Sequence, residues 1–316
     1  MTLPTLVRTL RDTITAEVIL SMGLSPSRWP GRLLAPVIWP ATRRFAELAA
    51  TFDDDVSTLG IREAACRFLP HFVEGCLQSG AEAIPPTGPL LVASNHPGAT
   101  DGLVIVAAMP RDDLWIVGSD VPFTRALPHT RDHLIYTPDR LTHTLEDAAE
   151  GTTAARSIIQ RLRDGGAVLI FPSGHLDPDP VLSPGGAAEG LADWSRSVAL
   201  VLHHVPQSRL LVAVVSGVLV PRFLLHPLTR LAPRGWERQK LAEVLQIIQQ
   251  LLYRKRYGLV PRVSFGGPIS AQELGVGKTR DGLAQAVTDQ ARQVLALHRA
   301  SADRAVAVAL SPGPGR

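Results

Sequence analysis

The residues best suited to chemistry lie together in Asn95-His96-Pro97-Gly98-Ala99-Thr100-Asp101. Leu90 to Ala93 is an apolar run that reads as a buried strand. Pro97-Gly98 forces a turn, and Gly102 to Met109 has the composition of a helix that begins near Thr100 or Asp101. His96 therefore stands at the end of a strand, where α/β proteins place ligands. Asp101, five residues on, can fold back across the turn onto the imidazole. A carboxylate there fixes the tautomer and stabilises the imidazolium, so that His96 can serve as a general base toward a hydroxyl. The plainer reading of the same spacing is a histidine hydrogen-bonded at a strand end.

Other segments give His96 company. Ala167-Val168-Leu169-Ile170-Phe171 reads as a second buried strand and runs into Pro172-Ser173-Gly174-His175. Leu134-Ile135-Tyr136-Thr137 is a short strand leading to Pro138-Asp139-Arg140, and Leu210 to Gly217 is a further strand. Strands ending in polar, turn-rich loops suggest one cleft along a shared sheet edge.

Taken together, these segments resemble the glycerolipid acyltransferase family. Asn95-His96-Pro97-Gly98-Ala99-Thr100-Asp101 is similar to its first block, N-H-x-x-x-x-D. Tyr136 to Arg140 is similar to its second block, Ala167 to Gly174 to its third, and Val212-Ala213-Val214 to its fourth. The likeness spans about residues 85 to 270, with the blocks in order. It implies that His96 and Asp101 are catalytic and that Asn95, Arg140, Phe171, Pro172, Ser173 and Gly174 contact substrate. It further implies transfer of an acyl group from a thioester of coenzyme A or acyl carrier protein to a lipid hydroxyl, with that thioester as co-substrate and no other cofactor. Arg140 would hold an anionic headgroup or the coenzyme phosphates; alone, it reads equally as an exposed arginine paired with a carboxylate. Ser173 stands where the family has glutamate, Ala213 where it has proline, and His175-Leu176-Asp177 where it continues T-R-S. These departures fall in the acceptor blocks and leave open a neutral, zwitterionic or aminolipid acceptor. A thioester or ester hydrolase and a catalytically silent lipid-binding protein are the rival classes. No Gly-x-Ser-x-Gly elbow is present to argue for a serine nucleophile.

Composition fits this reading. The chain has 316 residues, 45% hydrophobic and 19% charged, with a formal net charge of +3. That mild basicity suits an anionic membrane surface or an acidic carrier protein. Cations are not interleaved with aromatics as in nucleic-acid binders, so no nucleic-acid partner is expected. Cys66 and Cys76 read as buried thiols in a reducing compartment, and no metal-ligand spacing appears. No apolar segment reaches the roughly 18 to 20 residues that span a bilayer, and no secretory signal is recognised. The expected location is the cytoplasm, peripheral on the inner face of the cell membrane.

The sequence divides into an N-terminal helical region (1–80), an α/β domain (81–300) and a flexible tail (301–316). The expected helices are Leu6–Met22, Leu33–Ala50 distorted at its start by Pro36 and Pro40, and Val56–Gln78 broken at Pro70, the last capped by Asp53-Asp54-Asp55. Trp29, Leu33, Leu34, Val37, Ile38 and Trp39 either meet lipid or pack on the catalytic domain. Near the other end, a helix from Trp236 to Tyr257 turns Leu241, Val244, Leu245, Ile248, Leu251 and Leu252 to one face, with Arg254-Lys255-Arg256 in its last turn complementing the helix dipole or touching anionic lipid. Arg262 to Ile269 reads as the last strand and Asp281 to Arg299 as a terminal helix. Alternating strands and helices give an α/β fold: a mixed, mostly parallel sheet flanked by helices, preceded by the helical region.

Overall fold

The computed structural model describes residues 3–137, 147–194, 197–232, 235–275, 280–301 and 304–311. Helices α1 (Leu3–Ser21), α2 (Trp29–Leu59) and α3 (Ile61–Phe68) come first, followed by strand β1 (Leu77–Ser79). Then follow β2 (Leu90–Ser94), α4 (Asp101–Ala108), β3 (Leu114–Ser119), α5 (Pro122–Arg125), β4 (Leu134–Thr137), α6 (Asp147–Arg163) and β5 (Ala167–Ile170). The remainder is α7 (Pro184–Gly190), α8 (Ser197–His204), β6 (Arg209–Ser216), α9 (Pro221–Leu224), α10 (Gly235–Tyr253), β7 (Arg262–Phe265), β8 (Ile269–Ser270), α11 (Arg280–Ala300) and β9 (Val306–Ala307).

The sheet order is β4-β3-β5-β2-β6-β7-β1-β9, with β8 pairing to β6. Pairs β3–β4, β3–β5, β2–β5, β2–β6 and β1–β7 are parallel; β6–β7, β6–β8 and β1–β9 are antiparallel. The mixed, mostly parallel sheet expected from sequence is thus present. Strand β2 is buried at every residue, because helices cover both faces. Leu90 and Val92 enter the core shared with α2, α3, α4 and α10, whereas Leu91 and Ala93 enter the one shared with α6, α8 and α11.

The N-terminal region departs from expectation in three places. Helix α2 runs unbroken through Pro36 and Pro40. Both prolines are exposed, so the carbonyls they leave without an intrahelical donor meet water. Asp53 is not part of a cap. It is buried inside α2, where one carboxylate oxygen accepts from the backbone N–H groups of His129 (3.0 Å) and Thr130 (2.7 Å) and from the Thr130 hydroxyl (2.8 Å). The third helical stretch stops at Phe68 and a 3-10 turn, and Leu77–Ser79 joins the sheet parallel to Arg262–Ser264. At the other end, Val306 and Ala307, in the segment read as a tail, pair antiparallel with β1.

Candidate active site

Parallel β2, β5 and β6 end at one edge of the sheet, and the site is built there. Register pairs Ala93 with Ile170 and Ser94 with Ala213, so the loops after β2 and β5 lie side by side. His96 leaves β2 with its side chain 29% exposed. Its Nδ1 lies 2.8 Å from Asp101 Oδ2, and the same oxygen accepts from Gly98 N–H at 2.9 Å. Asp101 is 1% exposed. A carboxylate can only accept, so Nδ1 carries the proton and Nε2 keeps a lone pair. Phe171 stacks on the imidazole, ring centroids 4.4 Å apart and planes 27° off parallel. Burial pushes the His96 pKa down, but Asp101 with its hydrogen bond, Glu243 and Asp177 outweigh it, so the pKa sits above that of an ordinary histidine.

The other residues singled out from sequence fall into two groups. Asn95 is 5% exposed, and its amide is shared with β6: Nδ2 donates to Val215 O at 2.9 Å and Oδ1 accepts from Val215 N at 2.8 Å. Ser173 is 2% exposed and donates to His175 O and to Asp177 Oδ2. Pro172 is buried, while Gly174 is exposed at a left-handed turn, φ +66°. Phe171 reaches the histidine itself. Arg140 lies outside the described residues. The strand that precedes it, β4, ends on the same edge but three strands from β2, about 14 Å away at normal sheet spacing.

Four buried residues of the site were not picked out as part of it from sequence. Asp177 Oδ2 accepts from His96 N at 2.8 Å, and Asp177 N donates back to His96 O at 2.7 Å. A carboxylate thus stands beside Ser173, four residues after the position where the family carries its glutamate. Asp179 is 1% exposed and accepts from the N–H groups of Val181, Gly217 and Val218. Both aspartates are engaged in holding loops.

Gln239 and Glu243 come from α10. The innermost polar stripe of this helix is Gln239, Glu243, Gln246 and Gln250, at spacings of four, three and four, each no more than 8% exposed. The Gln239 amide donates to Pro97 O and Asp177 O, both at 2.7 Å. Glu243 accepts from Ala99 N–H. Gln246 is paired with Val218 O and Val220 N, and Gln250 with Phe72 O. The apolar residues expected on the inner face share it with this stripe: Leu241 and Leu251 are buried, whereas Leu252 is 42% exposed. Burial raises the Glu243 pKa to about 7, with the Ala99 hydrogen bond opposing and Asp101 reinforcing. A Cβ at Gly98 would lie 2.5 Å from Glu243 Oε1 and 2.9 Å from Val218 Cγ2, so any larger residue there would displace one of these side chains. The buried glutamine and glutamate of α10 were the available sequence signal, for polar groups at core spacing need partners.

A buried carboxylate orienting a partly open histidine, at the carboxyl edge of a mixed α/β sheet, is an arrangement that can serve as a general base. Residues 77–216 match the family model described as Acyltransferase. The matched segment, under half of the chain, holds His96, Asp101 and the β5 loop; α10 lies beyond it. A 1-acyl-sn-glycerophosphate acyltransferase, PlsC, from Thermotoga maritima is similar in structure, with 14% sequence identity, a TM-score of 0.44, and coverage of 92% of this chain and 97% of that one. No curated protein matches the sequence.

Proposed function

We propose that the protein transfers a fatty acyl group from an acyl thioester to a hydroxyl of a glycerolipid precursor such as a lysophospholipid. The observation that carries this reading is the His96–Asp101 pair. Nε2 of His96 removes the proton from the acceptor hydroxyl while Asp101 holds the ring and balances the imidazolium. The oxygen attacks the thioester carbonyl, the tetrahedral oxyanion collapses, and the proton on His96 leaves with the thiolate. Gly98 and Ala99 N–H are already committed to Asp101 and Glu243, so oxyanion donors come from the first amides of α4, Gly102 and Leu103. The donor is a thioester of coenzyme A or acyl carrier protein.

Membrane contact is part of the proposal, at the inner face of the cell membrane. Among the described residues no helix is long and apolar enough to cross a membrane. The six residues that sequence left between lipid and core differ in exposure, with Leu34 half-buried. Ile38 is 4% exposed, whereas Trp29, Leu33 and Val37 are 75, 65 and 68% exposed, an apolar line at i, i+4, i+8 along α2. Trp39, 45% exposed, lies under the Arg11 guanidinium.

An acceptor panel tests the proposal. Thiol release from long-chain acyl-coenzyme A is followed alone and with lysophosphatidic acid, glycerol-3-phosphate or an aminolipid. Release that requires one of the lysophospholipid acceptors supports it. Release at the same rate without any acceptor makes the protein a hydrolase instead.

A further inference from the structure

The far end of α10 carries a cation cluster with no part in the reaction above. Sequence placed Arg254-Lys255-Arg256 in the last helical turn, but α10 ends at Tyr253. The three cations instead occupy a turn in which Arg254 and Tyr257 adopt left-handed backbone, φ 53° and 57°, a region that non-glycine residues avoid. All three are exposed. Tyr257 is pinned between Phe223 and the Arg222 guanidinium, 4.0 Å from the tyrosine ring, which brings a fourth cation to the group. From α2, Arg44 adds a fifth. Its pKa is lowered by burial and then by the charge of Arg254, and that of His71 is lowered by burial, Arg44 and Arg256. Arg44 of α2 is therefore close enough to feel the charge of the turn after α10.

Two carboxylates offset them in part, Glu47 beside Arg44 and Glu74 beside the turn, against five cations. Glu47 is paired with Arg43, and Glu74, which lines an open cleft with Arg254, Lys255, Arg256 and Tyr257, accepts from Gly258 N–H. Like charges gathered at a surface are favoured where an anionic partner neutralises them. Apolar groups mark that partner as a surface: Leu252, Tyr253 and Val260 are 42, 64 and 43% exposed around the cations. Arg44 follows Val37 by seven residues, almost two full turns, and so continues the line of Trp29, Leu33 and Val37.

We propose that Arg44, Arg254, Lys255 and Arg256 form a docking site for anionic lipid headgroups, continuous with the exposed apolar line of α2. The occupant is a negatively charged bilayer. This inference rests on the membrane contact proposed above and adds the class of lipid. Glu243 to Arg254 is eleven residues, about 16 Å along the helix axis, so the cluster lies away from His96.

The test is flotation of the full chain with vesicles of phosphatidylcholine alone, or of phosphatidylcholine with about three parts in ten phosphatidylglycerol. Binding to the anionic vesicles should be stronger and should fall as salt rises. A variant carrying Arg254→Gln, Lys255→Gln and Arg256→Gln should lose about fivefold per cation, on the order of a hundredfold in all, on anionic vesicles only. Replacing both arginines by lysine should keep the binding. Equal binding of wild type to both vesicles, or an unchanged preference in the glutamine variant, overturns the proposal. Thiol release from a short-chain thioester to a water-soluble acceptor, without vesicles, is measured in parallel. The glutamine variant should match wild type there. A rise in KM for the thioester would assign the cluster to donor phosphates and overturn the lipid assignment. Failure of wild type itself to turn over would count against the acyl-transfer reading and leave the binding result standing.

Discussion

Glu243 offers a sharp test because its charge is both buried and close to the histidine. Glu243→Gln removes the charge but keeps a side-chain oxygen that can accept from Ala99 N–H. The carboxyl titrates near 4.5 when exposed and at about 7 in the fold, where its side chain is buried. A raised carboxyl pKa means that the folded state prefers the protonated form. The stability it contributes is complete below pH 4.5 and is lost as pH rises through 7. The gap corresponds to about 3 kcal/mol once the group is fully ionised. Urea denaturation of wild type and variant at about pH 5 and about pH 8.5 measures it. The variant should gain on wild type between the two pH values by an amount approaching that figure. The activity profile supplies a second reading. Glu243 is one of the anions that raise the His96 pKa, so its loss should move the acidic limb of kcat/KM to lower pH. A stability difference independent of pH, together with an unmoved acidic limb, would refute the reasoning.

Other expectations follow from the same contacts. Asp101→Asn can present an N–H to His96 Nδ1 and favour the wrong tautomer; kcat should fall by about 10³- to 10⁴-fold with KM little changed, as steady-state kinetics on a fixed acceptor would show. His298 is 1% exposed, its ring nitrogens each 2.8 Å from Ser216 Oγ and Ser264 Oγ, and burial followed by Arg262 and Arg299 lowers its pKa to about 3. A depressed histidine pKa gives stability that is present above pH 6.5 and lost as pH falls toward 3. Wild type should lose up to about 5 kcal/mol over that range from this group, and His298→Leu should lack that part of the pH dependence in denaturant titrations. Serine at Trp29, Leu33 and Val37 together should weaken binding to neutral and anionic vesicles alike, while turnover of a soluble short-chain thioester stays at the wild-type rate.

What could be read from sequence was whatever is local. His96 and Asp101 are five residues apart across one turn, so type and spacing alone place them in contact. The apolar runs of β2, β5 and β6 are long enough to be strands without knowledge of their neighbours. The three-residue β1 is not: Leu77–Ser79 follows a helical stretch and becomes a strand through pairing with Arg262–Ser264, 185 residues away. Pro36 and Pro40 argued for a distorted helix because solvent exposure of the carbonyls they strand is a tertiary fact. The roles of Gln239 and Glu243 depend on loops more than 60 residues distant, and no periodicity in α10 names those partners. Ser173 marked a missing carboxylate, but only the fold shows Asp177 returning beside it.

The central claim is that His96 is the base of an acceptor-dependent acyl transfer. The most direct test compares wild type and His96→Ala for thiol release from long-chain acyl-coenzyme A with lysophosphatidic acid present and absent, after circular dichroism has shown both to be folded. The account predicts release in wild type only when the acceptor is present, and a loss of at least about 10²- to 10⁴-fold in the variant. Release that persists in His96→Ala would contradict it.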